Sequence, residues 1–100
     1  GRGAGSGDVT VRVRFLAQLK TIFGAREKDV ELAGPALLED LLNALCDSPE
    51  RRGEIFLPDG TLNPQVVVMK GGRNVLSLQG LETPLADGDA VAVLPFIVGG

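Results

Sequence analysis

The sequence predicts an α+β fold: a mixed sheet packed on one main helix. Three observations carry this. Val9-Thr10-Val11-Arg12-Val13-Arg14-Phe15 alternates strictly between apolar and polar residues, the pattern of a strand with one buried face. Leu37, Leu38, Leu41, Leu42 and Leu45 fall at i, i+1, i+4, i+5 and i+8, one broad stripe of a helix facing a core. Ala90-Val91-Ala92-Val93-Leu94 is uninterrupted by polar residues, as expected of a strand at the centre of a sheet.

The elements follow in order. Residues 1–7, Gly-Arg-Gly-Ala-Gly-Ser-Gly, have no periodicity and four glycines; ordering them costs entropy that no burial returns, so they read as a floppy arm or an expression remnant. Residues 8–98 read as one folding unit, with 99–100 as a tail. After the first strand, Ala17 to Phe23 places Leu19, Ile22 and Phe23, with Leu16 before them, at helical spacing and stops at Gly24, a left-handed residue at a helix C-terminus. Lys28 to Leu32 alternates as a second strand. Gly34-Pro35 opens the leucine helix, because proline suits the first helical position, and Asp47-Ser48-Pro49 closes it. Glu50 to Pro64 reads as loop, with a turn at Pro58-Asp59-Gly60. Gln65 to Met69 is a third strand, and Lys70-Gly71-Gly72-Arg73 turns it back into a short strand over Asn74 to Leu78. Thr83 to Asp89 is a second turn region, in which Asp87 and Asp89 organise the backbone through their short side chains. The order strand, strand, helix, strand, short strand, strand lets the final strand return beside the first and cover the leucine stripe.

Alternation also dictates what lies on the other face of the sheet. If Val91 and Val93 are buried, Ala92 and Leu94 point away from the helix, with Phe96 beyond; two of Val66-Val67-Val68-Met69 do the same. Leu94, Phe96, Val67 and Met69 are therefore the candidate partner-binding residues, since contiguous exposed apolar area marks an interaction site.

Composition narrows the function. With 44% hydrophobic and 23% charged residues, the chain has the balance of a soluble globular domain. No apolar run approaches the roughly 18–20 residues that span a bilayer, and the secretory-signal pattern is missing, which places the protein in the cytoplasm and away from membranes. The absence of histidine removes the commonest general base and metal ligand, so no bound cofactor or metal is expected. A net charge of −3 gives no reason for nucleic-acid binding. Cys46 is the one cysteine; beside Leu45 and Asp47 it reads as an inert packing residue. Gly71-Gly72 carries no phosphate-binding pattern.

Gly99-Gly100 is the chemical handle. It leaves a carboxylate with no side chain to obstruct a narrow active-site channel, and Phe96 to Gly100 can extend about 16–18 Å at roughly 3.3–3.6 Å per residue.

Together, Val11 to Leu19, Gly24, the leucine helix, Thr83-Pro84-Leu85-Ala86-Asp87-Gly88-Asp89-Ala90-Val91 and Pro95-Phe96-Ile97-Val98-Gly99-Gly100 resemble the ubiquitin-like sulfur-carrier family, the MoaD/ThiS-like proteins. The type most similar is the small subunit of molybdopterin synthase. The resemblance implies a β-grasp (ubiquitin-like) fold. It implies that an ATP-dependent adenylating enzyme activates the Gly100 carboxylate and that a sulfur donor converts it to a thiocarboxylate, with Gly99, Val98, Ile97 and Phe96 forming the tail. ATP is then used by the activating partner, and the large subunit of molybdopterin synthase is a further partner for a carrier of that type. The protein would be a co-substrate or non-catalytic subunit. A single Pro95 stands where the family often has two prolines, and Lys70-Gly71-Gly72-Arg73 replaces a common Asn-Gly turn.

Three classes of function stay open at this point: a sulfur carrier for molybdenum or tungsten cofactor, cysteine or thiamine synthesis; a ubiquitin-like modifier joined through Gly100 to target lysines; and a binding module whose tail is never activated. The long stretch from Glu50 to Pro64 favours the molybdopterin-type or related carriers over the shorter thiamine type.

Overall fold

The computed structural model describes residues 8–96. The expectations for residues 1–7 and for Ile97, Val98, Gly99 and Gly100 lie outside the described residues.

The first strand, β1 (Val9–Phe15), buries Val9, Val11, Val13 and Phe15 and exposes Thr10, Arg12 and Arg14, as its alternation demands. It pairs antiparallel with β2 (Glu27–Leu32), placing Val11 opposite Val30 and Arg12 opposite Asp29. Between them lies α1 (Leu19–Phe23), which ends at Gly24 with φ of 73°. The helix starts two residues later than the periodicity predicts because Ala17 has φ of 54°, a left-handed conformation incompatible with a helical turn. Leu16 accordingly lies just past the end of β1, outside the helical stripe, and Phe15 stacks on Phe23 at 4.7 Å between ring centroids.

The leucine helix also starts later. Ala36–Leu37 is extended and forms β3, paired with β6 (Pro84–Leu85), so α2 spans Leu38–Leu45. Its entry is fixed by two bonds that sequence periodicity does not reveal. The Leu37 N–H donates to Asp40 Oδ2 at 2.8 Å, and the Leu38 N–H donates to the Thr83 carbonyl at 2.8 Å, satisfying amides that a helix start otherwise leaves unpaired. Leu38, Leu41, Leu42 and Leu45 are buried; Leu37, half-exposed, stays with the strand.

The stretch expected to be loop contains a third helix, α3 (Pro49–Ile55). Ser48-Pro49, expected to end α2, instead begins α3: Ser48 Oγ accepts from the Arg51 N–H at 3.2 Å and Pro49 takes the first helical position. Arg51 then ties α3 to α1, donating to the Ile22 carbonyl at 2.9 Å and to Asp47 at 2.9 Å, with its guanidinium 5.7 Å from the Phe23 ring centroid.

The next strand, β4 (Val66–Lys70), turns at Gly71 and Gly72, whose φ values of 57° and 83° suit a tight hairpin. Its partner β5 is only Arg73–Asn74. The predicted strand through Leu78 is cut short because Asn74 Oδ1 accepts from the Leu76 N–H at 2.9 Å, winding Val75–Ser77 into a 3₁₀ turn. A second such turn, Gly80–Glu82, precedes Thr83, whose buried hydroxyl donates to the Gly80 carbonyl at 2.7 Å.

The last strand, β7 (Ala90–Pro95), is the middle member of a sheet ordered β2-β1-β7-β4-β5. It runs parallel to β1, with Val13 opposite Val91, and antiparallel to β4, with Val68 opposite Val93. The turn before it is pinned to β1: the Thr10 N–H donates to Asp87 Oδ1 at 2.8 Å, and the Ala86 N–H to Asp89 Oδ2 at 2.7 Å. Val91 and Val93 face the leucine stripe, and each fully buried side chain of this kind contributes about 1.5–3 kcal/mol. The architecture is the expected α+β arrangement, a mixed sheet packed on one main helix.

Candidate partner face and tail exit

On the side away from α2, the sheet carries side chains in rows set by its register. Arg14, Ala92 and Met69 form one row, since Arg14 pairs with Ala92 and Ala92 with Met69. Leu94 and Val67 stand opposite each other in the next. Leu16, 37% exposed and bonded through its N–H to the Val93 carbonyl at 3.1 Å, extends that row past the end of β1. Leu16, Met69, Ala92 and Leu94 line an open concavity of about 400 Å³, with Arg12, Arg14 and Glu27 on its rim.

The rim is charged but internally paired. Arg12 Nε lies 3.1 Å from Asp29 Oδ1, and Arg14 donates to Glu27 Oε2 at 2.9 and 3.3 Å. The hydrogen bond to Asp29 is the main reason the Arg12 pKa is raised above its ordinary value, with the Asp29 and Glu27 charges adding to it. Such exposed pairs are screened by solvent and add little to stability. Their consequence here is local: opposite charges cancel beside an apolar floor.

The four candidate partner residues line two adjoining hollows of the same face, joined where Val67 stands opposite Leu94. Leu94 and Met69 share the concavity, whereas Phe96, 56% exposed, lines a neighbouring groove of about 230 Å³ with Val67, Pro64 and Leu76. Phe96 is held there by its N–H, which donates to the Gln65 carbonyl at 2.9 Å. The chain thus leaves the sheet between two apolar hollows, directly after the central strand. Sequence reasoning missed Leu16 and Leu76. Leu16 continues the outward series Thr10, Arg12, Arg14, which was the signal available; Leu76, 73% exposed, owes its position to the Asn74 turn.

Cys46 is buried, its Sγ donating to the Arg51 carbonyl at 3.6 Å, and burial above all pushes the thiol up to about 11, so it is protonated at neutral pH. Among the described residues, no three His, Cys, Asp or Glu side chains are grouped to hold a metal, and no helix is long and apolar enough to cross a membrane.

Comparison with known proteins bears on this site. The model of the ThiS family matches residues 13–100. The small archaeal modifier protein 3 of Haloferax volcanii is 33% identical over 90 residues, covering 90% of this chain and 98% of that protein. A protein of Archaeoglobus fulgidus described as a sulfur carrier is 30% identical over 94 residues, covering 92% and 100%. A Pyrococcus furiosus structure described as molybdopterin converting factor subunit 1 superposes with a TM-score of 0.71 at 28% identity, covering 89% of this chain and 99% of that one.

Proposed function

This chain is a member of the ThiS family, within the MoaD/ThiS-like group of ubiquitin-like β-grasp proteins, and from that premise we propose that it is a sulfur carrier charged at Gly100. The observation that carries the reading is the coupling of face to tail. The strand that leads to Gly99-Gly100 is also the one that lays Ala92 and Leu94 on the open face, so a partner gripping that face holds the segment from which the carboxylate extends.

The chemistry asked of Gly100 is modest. A terminal carboxylate with a reference pKa of about 3.3–3.7 is ionised at neutral pH and able to attack the α-phosphorus of ATP. Pyrophosphate leaves and an acyl adenylate forms. A persulfide on the sulfur donor then adds at the carbonyl carbon and AMP departs; a second thiol of the donor attacks the donor-side sulfur of the resulting acyl disulfide, forming a disulfide on the donor and releasing the thiocarboxylate. Its sulfur passes to an acceptor in molybdopterin or related biosynthesis, in the active site of a larger synthase subunit. The chain itself supplies the reacting group and its delivery, and the adenylating enzyme supplies the catalysis.

A second reading has its own support in the similarity to a small archaeal modifier protein: the same adenylate ends as an isopeptide bond to lysines of other proteins. Intact-mass analysis of protein from its own host separates the two. Oxygen replaced by sulfur at the C-terminus supports the carrier; Gly100 attached to foreign lysines supports the modifier. Free carboxylate alone, persisting after incubation with ATP, the activating enzyme and a sulfur donor, refutes both. Deleting Gly100 is expected to abolish adenylation while leaving the unfolding midpoint unchanged.

A further inference from the structure

The sheet order leaves β2 with a neighbour on one side only, and the ladder fixes which of its backbone groups are left over. In an antiparallel pair, facing residues alternate between those that exchange both backbone bonds and those that exchange none. The Phe15 N–H donates to the Arg26 carbonyl at 2.9 Å, so by parity Lys28, Val30 and Leu32 turn their backbone groups towards Val13, Val11 and Val9. The Arg12 and Leu16 N–H groups point the opposite way, to the Asp89 and Val93 carbonyls, as that parity requires. The N–H and carbonyl groups of Glu27, Asp29 and Glu31 therefore point out of the sheet, and none has a hydrogen-bond partner among the described residues.

This edge is regular as well as open. The strand pairs with β1 without a bulge from Glu27 to Leu32 and contains no proline, so its backbone does not block a further strand. Its side chains specify which strand. Glu27, Asp29 and Glu31 are exposed and share a face with Arg14, Arg12 and Thr10. Arg14 and Arg12 pair with Glu27 and Asp29, but Thr10 leaves Glu31 with no cation across the ladder. On the other face Val30 and Leu32 are half-buried against the core, with Lys28 beside them. A second copy is disfavoured by the same register: a two-fold pairing that satisfies the outward groups sets Asp29 against Asp29 or against Glu31, and like charges directly opposite each other repel.

We propose that the free edge of β2 accepts an extended segment of a basic partner protein as a further strand, with a cation opposite Glu31 and apolar side chains alongside Val30 and Leu32. Backbone bonds to Glu27, Asp29 and Glu31 supply the attachment, and the side chains choose the partner. Because β1 separates this edge from β7, a protein held there leaves the strand that leads to Gly99-Gly100 uncovered. The proposal stands independently of any activation of Gly100.

The test titrates the full chain with the capped peptide Val-Lys-Val-Lys-Glu-Lys and follows backbone amides by NMR. Laid antiparallel along β2, this peptide sets its lysines opposite Glu31, Asp29 and Glu27 and its glutamate opposite Lys28. The amides of Glu27, Asp29 and Glu31 should shift most and exchange more slowly with solvent. The dissociation constant should rise roughly five- to tenfold in Glu31→Lys, as an attractive cross-strand pair becomes a repulsive one. A peptide methylated on its lysine backbone nitrogens keeps its charge but cannot pair as a strand, and it should not bind. Absence of shifts at millimolar peptide, shifts centred on the open face, equal binding of the methylated peptide, or an unchanged dissociation constant in Glu31→Lys overturns the proposal. The same amide shifts on concentrating the chain alone would assign the edge to a second copy and overturn it too. Should Glu31→Lys fail to fold, the methylated peptide decides on the unaltered chain.

Discussion

Val93 and Leu94 are adjacent in β7 and face opposite ways, so truncating each to alanine should affect different measurements. Val93 is fully buried. Removing its two methyl carbons costs about 1.6 kcal/mol of transfer free energy, and the cavity left behind raises this to about 2–3 kcal/mol. For a domain of this size that lowers the thermal midpoint by roughly 10–20 °C. Leu94 is half-exposed on the open face, and its truncation should cost the free protein less than about 1 kcal/mol. If the activating enzyme covers that face, three carbons are lost from the interface, about 2 kcal/mol, or roughly a 30-fold rise in the carrier concentration needed for half-maximal adenylation. The assays are thermal unfolding and ATP–pyrophosphate exchange across a range of carrier concentrations. Equal losses of midpoint for the two variants would refute the assignment of faces. An unchanged concentration dependence for Leu94→Ala, with Gly100 still required, would refute the idea that the partner grips the sheet there.

Other expectations concern features that position these elements. Ser48→Ala removes the side-chain acceptor at the start of α3 and should destabilise the protein by about 1 kcal/mol, seen in denaturant unfolding. Ala17→Gly relieves a left-handed alanine and should stabilise by about 0.5–1 kcal/mol after the entropy of glycine in the unfolded chain is subtracted; a loss of stability would show that the methyl group packs productively. Because the folded thiol of Cys46 is pushed up to about 11 from an ordinary 9.0, its contribution to stability is complete below about pH 9 and lost as pH rises through about 11, since the unfolded state releases its proton first. Comparing the pH dependence of unfolding with that of Cys46→Ala over this window isolates the effect, and native protein at pH 7 should resist thiol-directed alkylation.

The parts of the fold legible from sequence are those where a single periodicity carries the information. Strict alternation placed Val9 to Phe15 and assigned its faces, the leucine spacing placed α2, and the apolar run placed β7 at the centre. What escaped depends on contacts between segments distant in sequence or on a signal with two meanings. Ser48-Pro49 reads equally as the end of one helix and the start of the next, and only the exit of the chain at Cys46 decides. The late start of α2 depends on Leu38 meeting the Thr83 carbonyl, 45 positions away, and the shortening of β5 on one Asn74 side chain. At the site, Leu94, Met69 and Val67 follow from alternation, while the groove beside Phe96 requires the turn that brings Leu76 next to it.

The central position of β7 has a consequence for how the chain is made. Until β7 exists, the sheet is two unconnected halves, β1 with β2 and β4 with β5, because every strand pairing that joins them runs through it. Ribosomes add residues at about 5–20 per second, so for several seconds the nascent chain holds one edge of β1 and one edge of β4 with no strand to pair with. Closure of the sheet waits for the segment that directly precedes the diglycine, so a chain interrupted before β7 would lack a finished domain. Proteolytic machinery can then sort truncated products from complete chains by foldedness alone.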